Sequence, residues 1–138
     1  MKMTQAELTA FLASEFPQMR SQNFRIEHWD GTALRLTMPI TEQNLRPGGT
    51  VSGPAMMTLA DCAAYLLLLG RIGPVALAVT TSLNINFLRK PGLGDLSADA
   101  TMLKLGRTLA IIELSLMSAG VDEPVAHSVL TYAIPPVK

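Results

Sequence analysis

The sequence predicts an α+β domain in which one antiparallel sheet wraps around one buried helix. Three observations carry that expectation. Residues 55–69, closed by Gly70, are almost wholly apolar and read as a long helix. Two short strand-like arms precede the helix, joined by an Asp-Gly turn. Four more strand-like segments follow it, separated by glycine-containing turns.

The elements follow in order. In residues 4–16, Leu8, Phe11, Leu12 and Phe16 recur at helical spacing until Pro17 stops them, giving a short amphipathic helix. Residues 24–29 and 33–38 form the hairpin, because Asp30 and Gly31 both tolerate positive φ. In its second arm Leu34, Leu36 and Met38 alternate with Arg35 and Thr37, which buries one face. Residues 41–54 are rich in breakers and deliver the chain to the apolar helix. Ser52 or Gly53 can cap that helix, and Pro54 suits its first turn. Residues 78–88 alternate cleanly, with Val79, Thr81, Leu83, Ile85 and Phe87 opposed to the residues between them. Residues 96–105, 109–119 and 124–134 complete a four-stranded meander.

Composition narrows the function classes. A chain of 138 residues is expected to form one domain, residues 1–138. With 49% hydrophobic and only 16% charged residues, part of its apolar surface is expected to lie against a second subunit. Eleven basic and eleven acidic residues cancel, which argues against a nucleic-acid partner. Cys62 stands alone, so no intramolecular disulfide is available and a reducing compartment fits. The opening residues carry no apolar signal core, so a cytoplasmic location is expected. The apolar run is shorter than the roughly 20 residues that span a bilayer and has a carboxylate at its centre, so no membrane span is expected.

That carboxylate, Asp61, is the only charged residue between Arg46 and Arg71. Desolvating it costs several kcal/mol unless something compensates. Thr58 and Tyr65, at −3 and +4, share its side of the helix and give a narrow polar stripe. Asp61 reads as a general base or nucleophile facing a pocket, the alternative being a buried carboxylate held by neighbouring hydroxyls. At the helix start, Gly53-Pro54, free amides can stabilise a developing oxyanion, while plain capping is the better reading of that feature taken alone. Eight residues separate Gly53 from Asp61, about 12 Å along a helix, so the two cannot act on one carbonyl within one subunit. A site shared by two subunits follows if both are catalytic. His28 and His127 lie on strands, are expected to have no acidic partner or ligand spacing nearby, and read as ordinary strand residues. No metal or cofactor is expected, and Cys62 reads as a small core residue. Arg89, Lys90, Lys104 and Arg107 cluster at turns, where they could meet the phosphates of a nucleotide-bearing substrate.

Three motifs then point to a family. Residues 52–61 (Ser-Gly-Pro-Ala-Met-Met-Thr-Leu-Ala-Asp), 78–91 and 104–110 resemble the small hotdog-fold acyl-CoA thioesterases, closest to the phenylacetate-pathway (PaaI-like) branch. The resemblance covers residues 40–134 and implies a dimer or dimer of dimers with sites at the subunit interface. It implies that Asp61 is the catalytic carboxylate and that the Gly53 amide polarises the thioester carbonyl. It implies further that Asn44 is the asparagine preceding that glycine, that Thr80 assists the attacking water, and that Arg89, Lys90 and Arg107 meet CoA phosphates. Ser52 and Pro54 replace the family's usual flanking residues in its His-Gly-Gly helix entry. Ser52 keeps a hydrogen-bonding group, and Pro54 removes an amide. Acyl-CoA hydrolysis is the expected reaction. The alternative is a hotdog protein that binds an acyl-CoA without turning it over. Enoyl-CoA hydration would require an Asp and a His in one loop, which the chain does not offer.

Overall fold

In the computed structural model, which describes residues 1–136, the chain first turns helical at a capping box. Thr4 Oγ1 accepts from the Glu7 amide and the Glu7 carboxylate accepts from the Thr4 amide, opening helix α1 (Gln5–Glu15). Pro17 stops α1 and at once starts a 3-10 helix, Pro17–Gln22. The hairpin follows as β1 (Arg25–Trp29) and β2 (Ala33–Met38). Only Gly31 takes a positive φ (94°) in its turn. Asp30 instead closes the turn with its side chain, Oδ1 accepting from the Thr32 and Ala33 amides at 2.8 and 2.9 Å.

The breaker-rich loop contains a 3-10 turn, Glu42–Asn44, and a small hairpin of β3 (Leu45–Arg46) and β4 (Thr50–Val51). It leads into α2 (Gly53–Ile72), whose 20 residues have a mean hydropathy of 1.5 in their most apolar stretch. By length and composition such a helix could cross a membrane, so the expectation that it is too short is corrected. Here it is the core of the fold: Leu59, Ala60, Ala63, Ala64 and Leu66 to Leu69 are buried under the sheet. Each fully buried leucine contributes about 1.5–3 kcal/mol. Gly70 does not end the helix. It lies within the last turns and receives the indole of Trp29, and Gly73 (φ 104°) closes the helix.

Four strands complete the chain: β5 (Val79–Phe87), β6 (Leu96–Leu105), β7 (Leu109–Ser118) and β8 (Ala126–Ala133). The sheet order is β1-β2-β6-β7-β8-β5, antiparallel throughout. The expected meander therefore holds only for β6 to β8. β5 crosses to the far edge and β2 takes its place beside β6. Alternation sends Ile112, Leu114, Leu116, Leu130 and Tyr132 inward against α2.

The two sheet edges differ. β1 is short and bulged between Ile26 and His28, and Gln5 Nε2 donates to the Ile26 carbonyl at 2.7 Å. β5 has nine residues, and its ends, Val79 and Phe87, are about half exposed. An edge of that length and exposure invites a further strand.

Candidate active site

Asp61 opens onto a cavity of about 630 Å³ between α2, the end of α1 and strands β5 and β8. Thr58 and Tyr65 line the same cavity, as their spacing requires. Neither hydroxyl serves the carboxylate. Thr58 Oγ1 donates back to the Pro54 carbonyl at 2.9 Å, and Tyr65 Oη donates to the Ala76 carbonyl at 3.0 Å. The carboxylate is held instead from the sheet. Thr80 Oγ1 and Tyr132 Oη both donate to Asp61 Oδ1, each at 2.6 Å.

Thr80 reaches Asp61 because β5 departs from the clean alternation in its sequence. A bulge between Thr80 and Ser82 leaves Thr81 unpaired, so Thr80 joins Leu83, Ile85 and Phe87 on the inner face. Without it Thr80 would face away from the helix. Tyr132 lies directly across from Thr80 in the β5–β8 register. Its ring stacks on Tyr65, with centroids 6.2 Å apart.

Burial, and then the Asp61 charge, hold the Tyr132 hydroxyl far above the ordinary tyrosine range. Burial raises Tyr65 as well. Cys62 is pushed up to about 12, mainly by burial with Asp61 adding to it. Cys62 is therefore a thiol at neutral pH and no nucleophile. Phe16 and Met19, from the 3-10 segment and its entry, wall the cavity opposite α2.

The helix start lies in a second cavity, of about 560 Å³. Ser52 caps α2, its Oγ accepting from the Ala55 amide at 3.1 Å, and its carbonyl accepts from Met56. Pro54 has no amide hydrogen. In this first turn the Gly53 amide is left without an acceptor among the described residues, so it is the one donor available to a ligand. The Phe87 ring lies against Gly53, 3.4 Å from where a Cβ would stand. Arg46, Arg89 and Lys90 line this cavity. Arg89 is held by Glu123, at 3.1 Å, and by the Pro124 carbonyl.

Asn44 and Arg107 line neither cavity. The Asn44 side chain is spent on its own loop. Its Oδ1 accepts from the Thr41 amide and hydroxyl, and its Nδ2 donates to Gln22 at 3.3 Å. Arg107 sits in the exposed β6–β7 turn.

Three things escape the sequence reading. Tyr132 is hidden as one inward aromatic of an alternating strand, and Arg46 as a cation in a loop. Both histidines do have acidic partners: His28 Nε2 is 3.0 Å from Asp30, and His127 Nε2 is 3.0 Å from Glu113 across β7 and β8. These partners come from a turn and from cross-strand pairing. Among the described residues there is no cluster that could hold a metal.

Several proteins similar to this chain are described as thioesterases or esterases. A family model described as the thioesterase superfamily matches residues 48–125. A candidate thioesterase from Silicibacter sp. TM1040 is 46% identical in sequence, with a TM-score of 0.88 over 96% of this chain and 92% of that one. A mutant of the phenylacetic acid degradation protein PaaI from Thermus thermophilus is 26% identical, with a TM-score of 0.75 over 86% of this chain and 99% of that one. A candidate esterase from Halobacterium salinarum is 39% identical over 90 residues, covering 62% of this chain and 59% of that protein.

Proposed function

The chain belongs to the thioesterase superfamily and has its hotdog fold, and we propose that it hydrolyses an acyl-CoA thioester to free acid and CoA. Asp61 acts as general base or nucleophile through the carboxylate oxygen that faces the cavity. As base, it takes a proton from water while the hydroxide attacks the thioester carbon. The carbonyl oxygen gains negative charge against the Gly53 amide, the C–S bond breaks, and CoA leaves as the thiolate. Thr80 holds the carboxylate, and Thr58 and Tyr65 shape the acyl cavity. Lys90, Arg46 and Arg89 offer positive charge to the CoA phosphates near the helix start, while Arg107 is left to the flank.

One observation carries this reading. Asp61 and Gly53 face separate cavities of one chain, and β5 touches both. Thr80, near its start, bonds Asp61, and Phe87, at its end, packs on Gly53. Antiparallel pairing of β5 with a second copy, about a two-fold axis near the strand's middle, brings the Asp61 end of each chain to the Gly53 end of its partner. The active unit is a homodimer with two shared sites, and it can pair further into a dimer of dimers.

The Ser52-Gly53-Pro54 entry favours a second reading, in which the site binds acyl-CoA without turnover, since a single amide faces the ligand. Thiol release from short, medium and aryl acyl-CoAs, wild type beside Asp61→Ala, separates the two. Release that depends on Asp61 supports hydrolysis. Binding of CoA esters without release supports the second reading.

A further inference from the structure

The two oxygens of Asp61 have opposite surroundings. Oδ1 accepts two hydroxyl donors at 2.6 Å. Among the described residues no donor reaches Oδ2 and no buried side-chain oxygen lacks a partner, so Oδ2 is the oxygen open to the cavity. The Tyr132 hydroxyl also lies 2.9 Å from the Asp61 carbonyl oxygen. One phenol thus contacts both the backbone and the carboxylate of the same residue.

Resting on the reading of Asp61 as base or nucleophile, we propose that Tyr132 is a positioning residue for the reaction. With Thr80 it holds Oδ1, fixes the plane of the carboxylate and presents Oδ2 to the attacking water or the thioester carbon. A buried phenol needs only one acceptor, and the Asp61 carbonyl alone would serve. The short bond to the carboxylate is charge-assisted and holds its oxygen in place. Tyr132 cannot give up its proton at working pH, because burial and the Asp61 charge both oppose its ionisation. It remains a donor wherever the enzyme runs. Two neighbouring strands supply the two donors in one register pair, Thr80 opposite Tyr132, so the sheet sets the aim of the carboxylate. A misplacement of about 1 Å at such a group can cost on the order of 100-fold in rate.

The test is steady-state kinetics of Tyr132→Phe on whichever acyl-CoA the wild type turns over. The other ionisable groups around this cavity are Glu15, Cys62 and Tyr65, and the variant leaves them in place. Loss of one charge-assisted bond predicts kcat lower by about 10- to 100-fold, with KM within about threefold. Site-specific 3-fluorotyrosine at position 132 keeps the shape and the donor, so kcat stays within about threefold of wild type. A kcat unchanged in Tyr132→Phe, a kcat that falls equally in the 3-fluorotyrosine protein, or a KM that rises in step with the loss overturns the proposal. Asp61→Ala in the same assay keeps the two readings apart. An active Asp61→Ala defeats the base reading, whereas an inactive one beside an unaltered Tyr132→Phe defeats only the positioning role.

Discussion

Thr80 and Phe87 stand near opposite ends of β5, the first bonded to Asp61 and the second packed on Gly53. They are seven positions apart along the strand, roughly 20 Å. In the proposed two-fold pairing, each end of this open edge meets the opposite end of its counterpart. Ser82→Lys together with Asn84→Lys sets like charges across the two-fold axis and disfavours the pairing. Sedimentation is expected to show a monomer with at least 10-fold less thioesterase activity, on the order of what losing shared-site geometry costs. A fully active monomer would defeat the shared site.

The Gly53 amide can be removed by proline, with circular dichroism and the oligomeric state matched to wild type because the new ring precedes Pro54 and lies against Phe87. Ser52 already holds the extended conformation a residue before proline requires (φ −75°, ψ 151°), and the first helical position accepts proline. Gly53→Pro is expected to lower kcat by about 100- to 1,000-fold with the fold intact. Retention of kcat would remove the amide from the mechanism.

Gly70 is fixed by packing. A methyl group there would overlap the Trp29 indole, whose Nε1 donates to the Met3 carbonyl at 2.8 Å. Gly70→Val is expected to destabilise the protein by about 1–3 kcal/mol in urea unfolding, more than any gain in helix propensity. Unchanged stability would mean that the ring moves aside freely.

The hairpin turn makes stability depend on acid. Hydrogen bonds from the Ala33 amide and from Thr32 hold the Asp30 carboxyl well below its ordinary range. That contribution is complete above the unfolded value, about pH 4, and is lost as pH falls toward the folded one. The difference in Tm between wild type and Asp30→Ala should be full near pH 5 and shrink below about pH 4. A difference constant down to about pH 2 contradicts this.

How much of this was legible in the sequence depends on the range of the interaction. Asp61 stands out because a carboxylate among leucines needs a reason, and Gly53 because helix starts expose amides. Both signals are local. The strands were legible too, since alternation is local. The bulge at Thr80, the passage of β5 to the sheet edge and the donation from Tyr132 all depend on pairings between distant segments. The intervening residues do not encode them separately. Gly70 misleads for the same reason: a glycine late in a helix reads as its end, and only Trp29, far back in the chain, explains its place inside.

The most direct test mixes two inactive proteins. Asp61→Ala lacks the carboxylate and Gly53→Pro lacks the amide, so each homodimer has two broken sites. A mixed dimer has one site broken twice and one intact. After refolding an equal mixture, about half the dimers are mixed and half of their sites intact, so thiol release from acyl-CoA should recover to roughly a quarter of wild type. Recovery at that level establishes a thioesterase site built from Asp61 of one chain and Gly53 of the other. No recovery, in a mixture shown to contain the mixed dimer, contradicts the shared site.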